Sequence, residues 1–271
     1  MRVGAVTRLF EVLMSPGGAL LKGERQQRIL AQLAATGRIV ATDVQHDLGV
    51  SAYTVRRDLD ELAEAGRLLR VHGGALAVAR SPVAVTSEGR RTQEVRGKRA
   101  VARAAARLLA GGEVVILDGG STALALAHEI PQGFTGTVVT HSPPVATALG
   151  GHGGIEVIVV GGTLDRRAMV ATGAQTLEAY ARITADILFL GVWSVHAEHG
   201  ISEGYHEEAE VRRLLLGRAD RVVGLASADK LGTVAPFHIG PAAALSHLVT
   251  ERAVDDGVLA PFTELGIQVV R

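Results

Sequence analysis

The stretch Ser51–Leu59, S-A-Y-T-V-R-R-D-L, combines two adjacent arginines with small hydroxyl side chains and a tyrosine. An arginine guanidinium can donate paired hydrogen bonds to guanine or to a phosphate, and hydroxyl groups bond phosphates or base edges. This combination of residue types therefore indicates contact with double-stranded DNA. The side chains that we expect to make this contact are Ser51, Tyr53, Thr54, Arg56 and Arg57.

Helical patterns around this stretch would position its arginines. Apolar periodicity predicts helices over Glu24–Thr36, Asp43–Leu48 and Ala52–Ala65, the second capped by Thr42 and the third by Ser51. Two short helices, a tight turn and a capped third helix form a helix-turn-helix, and the third helix of that motif meets base edges. The residues of this helix that we expect in the core, at positions i, i+4 and i+7, are Val55, Leu59 and Leu62.

A hairpin is predicted directly after the third helix. Arg67–Val78 has the pattern of a strand, a Gly-Gly turn and a second strand. A hairpin in this position is typical of the wing of a winged helix, and we expect Arg70 and His72 to reach the DNA backbone. Paired arginines on an amphipathic helix would by themselves be an ordinary solvated face. The spacing of the helices and the hairpin together favour the DNA-binding interpretation.

A second set of polar residues follows apolar strands in the C-terminal half. Asp118–Thr122 comes after the predicted strand Glu113–Leu117 and leads into a helix, where backbone N–H groups and hydroxyls can bind an anion. Similar loops after later strands contain Thr140 and Ser142, and Gly161 and Gly162. Each such loop alone is an ordinary tight turn, but three of them together with Lys230 at one sheet edge favour a phosphate site. Asp118 would suit sugar hydroxyls. The residues that we expect to line this polar-ligand site are Asp118, Gly120, Ser121, Thr122, Thr140, Ser142, Gly161, Gly162 and Lys230.

Apolar strands alternate with helices from Lys98 onwards. This pattern predicts an α/β fold with a mostly parallel sheet and helices on both faces. Ligands bind such sheets at the carboxyl ends of the strands. The predicted domains are an N-terminal extension at 1–22, a winged helix-turn-helix domain at 23–78, a linker at 79–97 and an α/β domain with the polar-ligand site at 98–271.

Charge is divided unevenly along the chain, although its 271 residues carry no formal net charge. Residues 1–97 hold 14 Lys and Arg against 10 Asp and Glu (net +4), whereas residues 98–271 hold 14 against 18 (net −4). A basic front half suits nucleic-acid binding. The absence of cysteine excludes disulfides and thiolate metal sites and fits a reducing cytoplasm. No apolar run reaches the roughly 18 residues of a membrane span, so no membrane partner is expected.

Several motifs stand out as they are written in this sequence. The front half contains E-R-Q-Q-R-I-L, L-G-V-S-A-Y-T-V-R-R-D-L-D-E-L and G-R-L-L-R-V-H-G-G-A, within Gly23–Ala77. The back half contains V-I-L-D-G-G-S-T, V-V-T-H-S, V-V-G-G and A-D-K-L-G, within Lys98–Thr250. Together they resemble the DeoR family of bacterial transcription regulators. The resemblance implies a winged helix that binds operator DNA, usually as a repressor of carbohydrate genes. It also implies that residues 98–271 form an effector-sensing domain for a sugar phosphate, related in fold to ribose-5-phosphate isomerase and coenzyme A transferases. By this resemblance, the nine residues named above for the polar-ligand site would bind the effector.

Other patterns suggest different chemistry. Gly119–Ala123 nearly fits the G-x-S-x-G nucleophile elbow, but no Asp-then-His pair stands out at later strand ends, which disfavours a serine hydrolase. His196, His199 and His206 are spaced by three and seven residues, which fits no compact zinc site, so we expect no metal. The charged segment Glu207–Arg213 is typical of a solvated helix face, from which one glutamate could reach the effector site.

We therefore expect a cytoplasmic transcription regulator with no cofactor and no catalytic residue. Its expected partners are operator DNA and a phosphorylated sugar or related metabolite. Because operators carry paired half-sites, the protein would act as a homodimer or homotetramer. The effector would shift the balance between a DNA-competent and an incompetent state. The alternative is a sugar-phosphate isomerase with a fused helical domain, in which Asp118 and a nearby Glu would act as acid and base.

Overall fold

The computed structural model of the protein describes residues 20–36, 38–65, 67–71, 73–76, 79–80 and 95–271. The chain divides into two compact units, Met1–Val78 and Ala79–Arg271. Three parts of the sequence prediction lie outside the described residues: His72, most of the N-terminal extension (1–19) and most of the linker (81–94).

The described part of the N-terminal unit consists of three helices and a small antiparallel sheet. In chain order the elements are α1 (Lys22–Thr36), β1 (Arg38–Val40), α2 (Ala41–Leu48), α3 (Ala52–Glu64), β2 (Leu69–Val71) and β3 (Gly74–Leu76). The sheet has the order β1-β3-β2, with β2 and β3 forming the predicted hairpin. Gly74 allows β3 to lie close against β1, because a Cβ there would stand 2.1 Å from the carbonyl oxygen of Ile39. The predicted winged helix-turn-helix architecture is confirmed.

Local signals explain most of the helix boundaries in this unit. Gly49 has φ 64° and ends α2, and the N–H of Thr54 donates to Ser51 Oγ at 3.1 Å, so Ser51 caps α3 as predicted. The predicted cap at Thr42 is wrong, since α2 begins at Ala41. Strand β1 runs directly into α2, and the N–H of Ala41 is satisfied by the carbonyl of Gly73 at 2.7 Å. A side-chain cap is therefore not needed there.

The C-terminal unit contains the remaining described elements. In chain order these are β4 (Ala79–Arg80), α4 (Val95–Ala106), β5 (Val114–Leu117), α5 (Ser121–Glu129), β6 (Gly136–Thr140), α6 (Pro143–Leu149), β7 (Ile155–Val159), β8 (Thr163–Asp165), β9 (Val170–Thr172), α7 (Ala174–Ala181), β10 (Ala185–Gly191), β11 (Ser194–His196), β12 (Gly200–Glu203), α8 (His206–Leu215), β13 (Ala219–Leu225), β14 (Thr233–Val234), β15 (Phe237–Gly240), β16 (His247–Val249), α9 (Asp256–Glu264) and β17 (Gln268–Val270). Short 3₁₀ turns lie at Ala228–Lys230 and Ala242–Ala244.

A seven-stranded sheet forms the centre of this unit, in the order β17-β16-β13-β10-β5-β6-β7. Every neighbouring pair in it is parallel. Along β10, Leu188 and Leu190 pack into one hydrophobic cluster, whereas Ile187 and Phe189 pack into another. Since successive side chains of a strand point to opposite faces, both faces of the sheet are covered. The prediction of a mostly parallel α/β sheet is confirmed.

Two smaller groups of strands have no counterpart in the sequence prediction. Strands β11, β12 and β15 form an antiparallel sheet, and β8 pairs with β9. These strands have only three or four residues, and Gly, Ser, Thr and His interrupt their apolar character. Such short segments lack the alternation that marks a strand in sequence.

Both ends of the predicted linker differ from the structure. Ala79 and Arg80 form β4, which pairs in parallel with β14 of the C-terminal unit. Helix α4 begins at Val95 instead of Lys98, and Gly97 lies in close contact with the Glu251 side chain. Residues 79–80 and 95–97 therefore belong to the C-terminal unit, because backbone pairing and packing attach them to it.

No helix in the described part of the chain is long and apolar enough to cross a membrane.

Candidate DNA-contacting helix and effector cleft

Helix α3 divides its side chains between a buried and an exposed face. Val55, Leu59 and Leu62 are buried and pack with side chains of α1 and α2, as the spacing predicted. Tyr53 is 74% exposed. Of the other candidate DNA contacts on this helix, Thr54 is half-buried and the exposed ones are Ser51, Arg56 and Arg57. The first turns of α3 thus present hydroxyl, phenol and guanidinium groups on one surface.

A buried ion pair that the sequence interpretation missed fixes α3 to α1. Arg25 Nε donates to Asp58 Oδ2 at 2.6 Å and Arg25 Nη2 to Asp58 Oδ1 at 3.0 Å. The Asp58 side chain is 3% exposed, and its hydrogen bond raises the pKa of Arg25. A signal for this pair is present in the sequence: Asp58 lies in helical register with Val55 and Leu62 on the core face, where a charged residue requires a partner.

Arg57 has a partner on its own helix. Its Nε donates to Glu61 Oε1 at 3.3 Å, and Lys22 Nζ lies 2.6 Å from Glu61 Oε2. The hydrogen bond from Lys22 lowers the pKa of Glu61, so this carboxylate stays ionised at neutral pH. The Arg57 side chain is still 66% exposed. An exposed pair of this kind is weak, so a DNA phosphate can compete for the guanidinium.

Arg70 has an intramolecular role in the wing. Its Nε donates to Asp60 Oδ1 at 2.7 Å, and its Nη1 donates to the carbonyl of Gly74 at 2.6 Å. These bonds connect α3 to the hairpin. Contact between Arg70 and a phosphate stays a prediction, and it would compete with these bonds.

A cleft lies where β5, β10 and β13 end, at the carboxyl edge of the sheet. It is lined by Lys98, Gly119, Gly120, Ser121, Thr122, Gly191, Val192, Trp193, Glu208, Arg212, Asp229 and Lys230. Four of the nine predicted effector residues are among these, namely Gly120, Ser121, Thr122 and Lys230. The cleft is in the position that the open-sheet rule predicts for a ligand.

Three features make this cleft suitable for an anion. Helix α5 begins at Ser121, and Gly120 before it (φ 94°) has no side chain to cap the first N–H groups. These N–H groups and the helix dipole favour a negative charge at this point. Lys230 lies in the 3₁₀ turn after β13, with Nζ 2.9 Å from Asp229 Oδ2, and Lys98 of α4 also lines the cleft. Lys98 was missed, because nothing in its local sequence distinguishes it from other helical lysines.

Asp118 does not face an open site, contrary to the prediction. It is completely buried, and its Oδ2 accepts from Arg212 Nε at 2.9 Å and from the N–H of Gly191 at 2.9 Å. Burial of an ionised carboxylate requires such partners. Asp118 therefore holds Arg212 and the end of β10 in place and is not open to sugar hydroxyls.

Arg212 is surrounded by three carboxylates. Besides Asp118, its Nη1 donates to Glu203 and lies 3.3 Å from Glu208 Oε2. The residues of this cluster are all less than one-tenth exposed. The expected solvated face of α8 is wrong for Glu208 and Arg212, which lie at i and i+4 in register with the buried Leu215. That register was the signal available in the sequence.

His141 lies on the other side of Asp118. Its Nδ1 is 2.9 Å from the Tyr180 hydroxyl, and its Nε2 is 3.5 Å from Asp118 Oδ1. Burial lowers the pKa of His141 to about 4, so the ring is neutral at physiological pH. Burial also raises the pKa of Tyr180 well above its usual value. The tyrosine hydroxyl therefore stays protonated.

The remaining predicted effector residues do not line the cleft. Thr140 is buried and its Oγ1 accepts from the N–H of Ser142 at 3.1 Å, while Ser142 Oγ lies 3.5 Å from the carbonyl of Met169. The carbonyl of Gly161, beside Gly162, accepts from Thr176 Oγ1 at 2.8 Å. These residues close and pack their loops, because their polar groups find partners within the protein.

The histidines that were weighed as a metal site do not form one in the described part of the chain, where no three His, Cys, Asp or Glu residues are grouped to hold an ion. His196 Nδ1 instead accepts from the N–H groups of Glu198 and His199, at 3.1 and 3.2 Å. This nitrogen stabilises the loop between β11 and β12.

A helix-turn-helix with an exposed polar face, followed by an α/β unit with a cleft suited to an anion, is the arrangement of a ligand-controlled transcription regulator. The model of the DeoR C terminal sensor domain matches residues 93–252, and that of the DeoR-like helix-turn-helix domain matches residues 25–81. The protein belongs to the DeoR family of helix-turn-helix transcriptional regulators.

Relatives are similar over nearly the whole chain. The HTH-type transcriptional regulator GlpR of Haloferax volcanii is 33% identical over 252 residues, covering 93% of this chain and 98% of that protein. The glycerol-3-phosphate regulon repressor of Escherichia coli K12 is 26% identical, covering 91% and 97%. Ribose 5-phosphate isomerase A of Methanocaldococcus jannaschii, a solved structure, is 19% identical with a TM-score of 0.37, covering 49% of this chain and 52% of that one.

Proposed function

We propose that the protein represses genes of carbohydrate metabolism and releases or binds their operator in response to a phosphorylated small molecule in the C-terminal cleft. The observation that carries this proposal is the meeting of the open N-terminus of α5 with Lys230 and Lys98 in one cleft. A dianionic phosphate matches this arrangement, because helix N-terminal N–H groups and lysines are common phosphate ligands. The name of the Escherichia coli relative, a glycerol-3-phosphate regulon repressor, points to the same class of metabolite.

The DNA side of the proposal rests on the exposed face of α3. Arg56 and Arg57 would bind guanine edges or phosphates, and Ser51, Tyr53 and Thr54 would add contacts from the first turn. The wing would add backbone contacts through Arg70 and His72. Paired operator half-sites call for a homodimer or homotetramer, in which two such helices lie about one turn of DNA apart.

Control by the effector requires two arrangements of the molecule with different affinities for DNA. The effector can shift their equilibrium by no more than the difference between its own affinities for the two. Lys230 is the group through which we expect the phosphate to act, since its side chain is 20% exposed and lines the cleft.

A gel-shift assay with the DNA upstream of the natural gene tests the DNA side. The double variant Arg56→Ala, Arg57→Ala should weaken operator binding about 30- to 1,000-fold, since each of the two lost charged contacts costs about 1–2 kcal/mol. The matched control is Lys230→Ala, which should bind the operator normally. Unchanged affinity of the double alanine variant would contradict the recognition-helix assignment.

A thermal-shift screen against phosphorylated sugars and polyols tests the effector side, because a ligand of the native state raises the melting temperature. Lys230→Ala should lose both the shift and the response of DNA binding. Arg182→Ala, an exposed change elsewhere in the same unit, should keep both. Equal responses of wild type and Lys230→Ala would exclude Lys230 from the site.

The isomerase alternative has less support. It requires Asp118 as an acid or base, but this carboxylate is completely buried and bonded to Arg212 and to the Gly191 N–H. The family relatives are transcriptional regulators. Turnover of ribose 5-phosphate by the purified protein would revive this alternative.

A further inference from the structure

The side chain of Trp193 forms one wall of the effector cleft. It follows β10, lines the cleft together with Lys230 and the start of α5, and is only 7% exposed. Lys230 Nζ lies 5.7 Å from the centre of the indole ring. The ring therefore stands directly beside the ammonium group that is expected to bind the phosphate.

Neighbouring groups fix the indole in this place. Tyr205 meets it edge-on, with ring centroids 5.7 Å apart and an interplanar angle of 82°. The Tyr205 ring is itself covered by Arg167, whose Cζ is 4.1 Å from its centroid. On another side the ring lies against Gly204, where an added Cβ would stand only 3.0 Å from Trp193 Cε2. Because packed side chains resist displacement, the indole is a rigid wall.

The space that this wall leaves is small. The cleft has a cavity volume of about 50 Å³, and roughly 10–15 Å³ of such space holds one water molecule. It therefore accommodates a few water molecules, and with modest adjustment a short ligand. The indole and the N-terminus of α5 line this same small space.

We propose that Trp193 selects the effector by size and restricts the cleft to phosphorylated ligands with three or four carbons. This inference rests on the proposed phosphate-binding function. The phosphate would lie at the N-terminus of α5 and Lys230, and the short carbon chain would pack against the indole face. Asp229, which lines the cleft with its side chain 46% exposed, would accept hydrogen bonds from the ligand hydroxyls.

The test compares three phosphates that differ in length: glycerol 3-phosphate, erythrose 4-phosphate and glucose 6-phosphate. Dissociation constants are measured by calorimetry for the full-length wild type, Trp193→Ala and Trp193→Phe. Wild type should bind at least one of the two shorter ligands about tenfold or more tighter than glucose 6-phosphate. Trp193→Ala should reduce that preference at least tenfold by gaining affinity for glucose 6-phosphate. Trp193→Phe keeps most of the wall and should keep the preference.

Trp193 also provides a direct readout, because it is the single tryptophan of the chain. Binding of a short phosphate should change the intrinsic fluorescence of wild type, and unphosphorylated glycerol should leave it unchanged. If Trp193→Ala does not fold, Trp193→Phe and Trp193→Leu allow the same comparison of ligands.

The possible failures are distinguishable. If wild type binds all three phosphates equally, or binds glucose 6-phosphate most tightly, the size selection is wrong while the phosphate site stands. The same conclusion follows if a folded Trp193→Ala or Trp193→Leu keeps the wild-type preference. If wild type binds none of the three, this inference is overturned, whereas the proposed function is overturned on its effector side only if the thermal-shift screen of phosphorylated sugars and polyols also finds no ligand.

Discussion

Arginines serve opposite purposes in the two halves of the molecule. On α3, Arg56 and Arg57 are exposed, and the pair formed by Arg57 with Glu61 is open to solvent. On α8, Arg212 is buried among Asp118, Glu203 and Glu208. The guanidinium groups on α3 are available to a polyanion, whereas the guanidinium group on α8 is fully engaged within the protein. The comparison shows that burial and existing partners, and not residue type, determine whether a charged side chain can bind a ligand or instead stabilises the fold.

Removal of Arg212 should have the largest effect on stability. Arg212→Met would leave three buried carboxylates without their shared cation, and breaking a buried pair costs about 3–5 kcal/mol. Urea denaturation of the full chain measures the loss. The control Arg182→Ala removes an exposed arginine and should change the midpoint little. An unaltered midpoint for Arg212→Met would mean that Arg212 is not the cation that holds this cluster.

The Arg25–Asp58 pair tests whether a buried ion pair also determines the stability of the N-terminal unit. Asp58→Ala should destabilise that unit by about 3 kcal/mol, because the Arg25 guanidinium loses both bonds at a site that is 14% exposed. Asp60→Ala is the matched control, because Asp60 pairs with Arg70 while its own side chain stays half exposed. This change should lower the free energy of unfolding by about 1 kcal/mol or less. Denaturation curves monitored by circular dichroism measure the loss of stability in each variant. Equal losses would remove the distinction between buried and exposed pairs on α3.

His141 offers a test that depends on pH. Its pKa is about 4 in the folded protein and about 6.5 when unfolded, so between these values the unfolded state binds more protons. Stability should therefore fall as the pH is lowered through this window, by about 2–3 kcal/mol between pH 7 and 4.5 from this residue. His141→Gln cannot take up the proton, so its stability should depend less on pH over the same range. Parallel curves for the two proteins would show that His141 is not the source of the acid sensitivity.

The same contrast explains what the sequence could predict. The cap at Ser51, the core face of α3 with Val55 and Leu59, and the carboxyl-edge cleft at Ser121 all follow from local patterns, and the structure contains each of them. The pairing of Asp118 with Arg212 could not be predicted, because 94 residues separate the two in the chain. Only the folded sheet brings the loop after β5 against α8.

The positions of Lys98 and Trp193 in the cleft could not be predicted from local patterns either. Lys98 lies on α4 and Trp193 follows β10, and neither belongs to a loop motif that signals a ligand. In contrast, Gly161 and Thr140 belong to such motifs, but the structure uses their polar groups within the protein. A motif therefore predicts where a strand ends more reliably than which side chains line the cleft.

Tyr53 should give the smallest effect and sharpen the comparison from the DNA side. It is 74% exposed and lies on the first turn of α3, so Tyr53→Ala should leave the unfolding midpoint unchanged. One hydrogen bond or packing contact to a base is worth about 1 kcal/mol, so affinity for the preferred operator should fall about three- to tenfold. Selection from a randomised operator library should show a changed preference at one base pair in each half-site. Tyr53→Phe separates the hydroxyl from the ring, and a preference that survives in both variants would place Tyr53 outside the base-reading surface and leave that role to the arginines.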